Sequence, residues 1–349
     1  MKKYTGLFSQ LTGLIVLMIA ILLSRFFPLW MENNYSLVIY PKLNKLLQFF
    51  TNWITVPLFC PLLFIVVLNF IKSLKNNKRT LSFTLELSAK YLLFISTSFY
   101  LLWGFNYQRI HIKDKLNFKA EVIPDSILAN SFKNVITRLD TLSILYHRDN
   151  NLQIPDNINE LVVGSVHGVL IKLAYPVFHV GKLKAFWPKG FLLRLSTAGF
   201  YFPFTGEAYY DKGLHPLQLP FSLCHEYAHA MGFADEGECN FIAYLACHES
   251  NELMFRYSAD ISLYKTIKTF KLDTEVYNFQ MLNKTAQDDL ISIRKEMEKY
   301  PDYIPELRDY IYDLYLKLQG IKEGEGNYNS FVEILIKYNE YLGKDNNKH

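Results

Sequence analysis

Three stretches near the N-terminus carry no charged residue: 4–24, 46–71 and 91–108. A helix needs roughly 20 apolar residues to cross a bilayer core. The pattern therefore predicts about three transmembrane helices, at about 4–24, 50–71 and 89–107. Pro57 and Pro61 fall inside the second and are expected to kink it. Trp30, Trp53, Tyr100, Trp103 and Tyr107 lie near run ends, where amphipathic rings favour the membrane interface. Past residue 108 the periodicity changes. Ile127, Phe132, Val135, Ile136, Leu139, Leu142 and Leu145 recur at helical spacing and predict a helix over 125–147, capped by Asp125 after Pro124. Further helices are expected over 157–174, 252–270, 286–299, 304–319 and 328–342. Leu192 to Tyr210, aromatic and Thr-rich with Gly199 and Gly206 as punctuation, reads as extended. The polar tail Lys344 to His349 reads as disordered. The fold class is α+β and mainly helical, with a membrane anchor over 1–108 and one further domain over 109–349.

Half of the residues are apolar and 16% are aromatic; the excess sits in the N-terminal runs, which strengthens the membrane reading. Lys2 and Lys3 precede the first run, and Lys72, Lys75, Lys78 and Arg79 separate the second from the third. The loop between the first two runs has Arg25, Lys42 and Lys45, opposed by Glu32. Positive-inside reasoning places the N-terminus and residues 72–80 in the cytoplasm. Three spans then make this a multi-pass protein of the cytoplasmic (inner) membrane, with everything after Tyr107 outside the cytoplasm. Were the third run not to span, that domain would be cytoplasmic. A net charge of +4 without a long basic block argues against nucleic acid as a partner; the lipid bilayer is the partner implied. Spans without internal ionisable residues argue against transport. The four cysteines do not form a disulfide framework: Cys60 lies in a membrane run, and Cys224, Cys239 and Cys247 read as small buried residues.

The chemistry is concentrated in His225-Glu226-Tyr227-Ala228-His229, an H-E-x-x-H sequence. Residues four apart share a helix face, so His225 and His229 can direct two imidazoles at one metal ion, with Glu226 beside it as a base. Pro220 suits the first turn of such a helix. Leu223, Tyr227, Ala230 and Met231 give it an apolar flank, and Gly232 ends it. Two chance histidines would explain the bare motif but not the Gly or the E-x-x-C-N unit, Glu236 to Asn240, that follows. Catalytic zinc needs a third protein ligand and an open position. Asp235 has the offset of the third ligand in the metzincin pattern H-E-x-x-H-x-x-G-x-x-H/D. Glu236 resembles the gluzincin-like arrangement, with Asn240 four residues on and able to orient a ligand histidine. Glu238 is rotated about 200° from Glu236 on the same helix. Glu236 is the preferred ligand, with Asp235 and Glu238 as alternatives. Glu207 is either a contact for a substrate amine or a structural acid, and His248, Arg256 and Tyr257 are candidate donors to a transition state.

The stretches GFYFPFTGEA, LPFSLCHEYAHAMGF and EGECNFIAYLAC, between Gly199 and Cys247, resemble the domain of unknown function 3810 family, bacterial membrane-anchored zincin-like proteins. YDLYLKLQGIKEGEGNY, Tyr312 to Tyr328, resembles that family's C-terminal signature, and the N-terminal runs match its layout. The family usually reads E-x-E-A-N after the histidines; Cys239 stands here in place of Ala, while Glu236, Glu238 and Asn240 match. The resemblance implies a zincin-like catalytic domain and a metallopeptidase. The expected function is a membrane-anchored hydrolase of peptide bonds. One Zn2+ per chain would be held by His225, His229 and Glu236, Glu226 would move the proton, and a peptide or protein would be the substrate. Two competitors keep the metal. One is a zinc-stabilised domain that binds a peptide or cell-wall fragment without turnover, which has no need of Glu226. The other is an amide hydrolase acting on peptidoglycan stem peptides.

Overall fold

The computed structural model describes residues 5–76, 80–118, 123–148, 153–269, 282–303, 305, 306, 310, 314 and 330–346. The architecture is mainly helical with one small sheet. The chain divides into two compact units. The first comprises Met1–Ile110 with two later pieces, His179–Lys184 and Phe202–Glu207; the second is the remainder. The division is thus more than one cut near residue 108, because two short stretches of the second half belong to the first unit.

In the first unit, helix α1 spans Thr5–Ser24. A helical run from Pro28 follows, with a π-helical stretch at Met31–Ile39, and continues as α2, Tyr40–Thr51. No element was expected between the first two runs; the run forms because its polar residues find buried partners. Glu32 pairs with Arg109 through two contacts of 3.0 Å, and Thr51 donates its hydroxyl to the Thr205 carbonyl at 3.1 Å. Gln48 donates to the Gly206 carbonyl. Helix α3 begins only at Phe59 and runs to Asn76, later than the span expected from residue 50. Residues 52–58, which include Pro57, break the run instead of kinking it. Helix α4, Leu81–Leu102, starts earlier than expected because Thr80 caps it, accepting from the Phe83 N–H. It packs on α1, where Gly13 admits the Leu93 side chain. Among the described residues, two helices, Leu7–Ser24 and Leu81–Leu102, are long and apolar enough to cross a membrane.

Glu207 also lies in the first unit. It accepts from Thr205 Oγ1 at 2.9 Å and from the Leu58 N–H at 3.2 Å, and it pairs with Lys184. The structural-acid alternative is the one these contacts describe.

The second unit holds α5 (Asp125–Arg148), α6 (Ile158–Lys172), α7 (Leu219–Ala230), α8 (Glu236–His248), α9 (Leu253–Ile267), α10 (Lys284–Glu298) and α11 (Ser330–Asn346). Helix α11 runs into the tail expected to be disordered. The helix expected over 304–319 and the Tyr312–Tyr328 stretch fall almost entirely outside the described residues. Helix α8 is the centre: Gly237 to Cys247 is buried without a break, and α6, α7, α9 and α11 all pack on it. The partly exposed Arg138 clamps the fully buried Asp260 with a forked contact, 2.8–3.1 Å, joining α5 to α9.

The expected extended stretch Leu192 to Tyr210 is only partly extended. Leu193–Leu195 is a 3-10 turn, and the strands are β2 (Gly199–Phe202) and β3 (Glu207–Asp211), after β1 (Lys184–Phe186). The turn is made by Asp211: its buried carboxylate accepts the backbone N–H groups of Gly190 (2.6 Å), Leu192 (2.8 Å) and Gly213 (2.6 Å). The sheet order is β1-β3-β2, so β2 is an edge strand.

Candidate metal centre

The site is made by a helix, a tight turn and a second helix. Pro220 occupies the first turn of α7, where its missing N–H costs nothing. Gly232 closes the helix at φ +87°, a conformation strained for any side chain, and the Phe233 N–H returns to the Ala228 carbonyl at 3.2 Å. Asp235 then caps α8, its Oδ1 accepting from the Glu238 N–H at 2.9 Å. Glu236, the first residue of α8, is thereby turned back onto the histidine face of α7.

Three donor atoms converge. His225 Nε2 lies 3.1 Å from His229 Nε2, and Glu236 Oε2 lies 3.2 Å and 3.6 Å from the two nitrogens. The other ring nitrogen of each histidine is occupied. His225 Nδ1 is 2.9 Å from Asn240 Oδ1, and His229 Nδ1 is 2.9 Å from the Phe233 carbonyl. Both acceptors assign the ring proton to Nδ1, which leaves both Nε2 lone pairs facing Glu236. Three such atoms this close need a shared proton or a cation between them. Ligand atoms on a tetrahedral zinc with bonds of about 2.0–2.1 Å stand roughly 3.3–3.4 Å apart. The observed triangle fits that spacing. His225, His229 and Glu236 form the one group among the described residues that could hold a metal ion.

Glu226 is buried next to this triangle, and its Oε2 has no hydrogen-bond partner. Burial pushes its carboxyl up to about 7; the two imidazoles pull against that and Glu236 adds to it. Burial also acts on Glu236, but His229 and His225 outweigh it and hold that carboxyl well below the ordinary range. Cys239 is fully buried, 3.3 Å from both His229 Nδ1 and the Phe233 carbonyl, and burial raises its thiol to about 12. It is a neutral neighbour of the ring proton, not a ligand.

The two alternative ligands have other work. Asp235 is the cap. Glu238 accepts from the Ile112 N–H at 2.5 Å and from His111 Nδ1 at 3.2 Å. The candidate donors are also engaged elsewhere or stand apart from the triangle. Tyr257 donates to Asp289 Oδ2 at 2.7 Å, and the His248 ring stacks on Tyr244. No contact brings Arg256 to the triangle, and its Nε is buried without a partner.

The hydrogen bond that His111 donates to Glu238, then the Glu238 charge, raises the His111 imidazole to about 9. A raised histidine contributes stability in full below its ordinary pKa near 6.5 and loses it as pH rises through the folded value. Unfolding free energy should therefore fall between about pH 6.5 and 9. The fall should be only about 1 kcal/mol, since the imidazole is 43% exposed. E238Q should flatten this dependence; an unchanged pH profile in that variant would assign it to another group.

Gly199 is the residue that sequence reasoning passed over. A Cβ there would meet Glu226 Cγ at 2.8 Å and Oε1 at 2.9 Å, and would collide with the Tyr209 carbonyl. The edge strand approaches Glu226 this closely because Gly199 has no side chain. Gly199→Ala should force β2 away from the Tyr209 carbonyl and the Glu226 side chain and lower unfolding free energy by about 1–3 kcal/mol. An unchanged denaturation midpoint in that variant would show that the strands absorb the extra methyl group. A glycine inside a strand was the available signal. The Phe233 carbonyl had none, being a backbone group.

A family described as a protein of unknown function, DUF3810, matches residues 35–336. The chain belongs to the DUF3810 family. No curated protein and no solved structure matches. The DUF3810 match takes in His225, Glu226, His229, Glu236 and Asn240 and begins after α1.

Proposed function

We propose that this DUF3810 protein is a membrane-anchored zinc metallopeptidase. The observation that carries the reading is the His225–His229–Glu236 triangle beside a buried carboxylate oxygen with no partner. A zinc ion held there would supply Lewis acidity to a scissile carbonyl and lower the pKa of a water molecule. Glu226 would take a proton from the water at its unpartnered oxygen as the water oxygen bonds to the carbonyl carbon, and would pass that proton to the amine nitrogen as the C–N bond breaks, leaving a carboxylic acid and an amine. Asn240 and the Phe233 carbonyl hold the two imidazoles in the tautomer that presents Nε2. The edge strand β2 offers backbone groups to which an extended peptide could add as a further strand. A binding domain without turnover gains nothing from an unpaired buried acid, which favours catalysis.

Helices α1, α3 and α4 are read as three spans in a cytoplasmic (inner) membrane, with the second unit outside the cytoplasm. The test uses the full chain in lipid nanodiscs, with zinc measured by mass spectrometry and cleavage by a peptide library. About one zinc per chain with zinc-dependent cleavage is expected. Zinc bound without any cleavage would favour the binding domain; no zinc after metal is supplied would overturn the reading.

A further inference from the structure

The last turns of the helical run Pro28–Thr51, with the turn that follows, are unusual for a protein surrounded by water. Asn44 and Gln48 are 1% and 4% exposed, whereas Phe49, Phe50 and Trp53 are 67%, 64% and 83% exposed. Buried polar groups and bare aromatic rings invert the usual order, and the inversion is expected where hydrocarbon replaces water as the solvent. Around α2, at 100° per residue, Lys42, Lys45 and Phe49 fall within about 60° of one another. Both lysines are exposed. Cations beside aromatic rings on one outward side are the composition of an interfacial anchor.

We propose that Phe49, Phe50 and Trp53, with Lys42 and Lys45, form a lipid-docking patch. The rings enter the boundary between headgroups and acyl chains, and the ammonium groups meet lipid phosphates. The helix α2 then rests on the bilayer as an element additional to the spans. Lipid is the occupant because the patch belongs to the same unit as the two spanning-length helices, whose apolar side chains are exposed as well. Position agrees: Tyr35, in the run leading to α2, donates its hydroxyl to the carbonyls of Tyr100 (3.2 Å) and Leu101 (3.0 Å), at the final turn of α4. The run leading to α2 thus passes the C-terminal end of a helix long enough to span a bilayer. The proposal rests on the anchor part of the proposed function and not on its chemistry.

The experiment places the full chain in vesicles containing phospholipids brominated on the acyl chain, and reads tryptophan emission. W30F/W103F/W187F leaves Trp53 as the sole reporter; I15W in a chain lacking all four native tryptophans reports on α1. Bromine should quench Trp53 emission by about half or more, while aqueous acrylamide should quench it several-fold less than free tryptophan. In the otherwise native chain, W53F should remove part of the lipid-quenchable emission, which needs no other substitution. Trp53 reached by acrylamide and not by bromine, with I15W quenched by bromine, would overturn the patch and leave the anchor standing. Trp53 reached by neither would mean that protein covers it, which overturns the patch too. I15W reached only by acrylamide would overturn the anchor itself.

Discussion

Glu226→Gln should remove hydrolysis while leaving zinc in place. The amide keeps the size of the carboxylate but cannot accept and return a proton, so kcat/KM should fall by about 10²–10⁴-fold. Zinc should stay at about one per chain, because the metal-facing atoms belong to His225, His229 and Glu236. Stability should not suffer. The wild-type carboxylate has an oxygen buried without a partner, and a neutral amide is cheaper to bury, so unfolding free energy should hold or rise by about 1 kcal/mol. Activity within about threefold of wild type would mean that another group moves the proton. Loss of zinc together with activity would make Glu226 a ligand.

Zinc content across four alanine variants separates the ligands from their neighbours. His229→Ala and Glu236→Ala should each take zinc from about one per chain to almost none at micromolar metal, since each leaves only two protein donors. Asp235→Ala should keep zinc and lose about 1 kcal/mol of stability with the α8 cap. Glu238→Ala should keep zinc and lose about 1–3 kcal/mol, because the Ile112 N–H is left without its acceptor. Zinc lost with Asp235 or Glu238 and retained without Glu236 would overturn the ligand assignment while leaving a metal site. Elemental analysis of the purified chain, with a denaturation curve on each variant, gives both readouts.

The sequence by itself determined the membrane-length apolar runs, the mainly helical character and the H-E-x-x-H helix with its closing glycine. These are local facts: charge-free length, a 3.6-residue period and the φ freedom of Gly232 depend only on neighbours in the chain. The order Glu236, then Asp235 and Glu238, is an expectation drawn from spacing, since rotation about α8 separates Glu236 from Glu238. Only the tertiary structure decided what the other two acids do. Asp235 became a cap and Glu238 an acceptor for Ile112, a residue far away in sequence. The same holds for the Phe233 carbonyl, the close approach of Gly199 to Glu226, and the commitment of Tyr257 to Asp289. The helical run between the first two apolar runs was hidden for a related reason. Its polar residues read as loop because their partners, Arg109, Thr205 and Gly206, come from distant parts of the chain. Periodicity records which face of an element is buried, but not what lies against that face; that is fixed only when distant segments pack together.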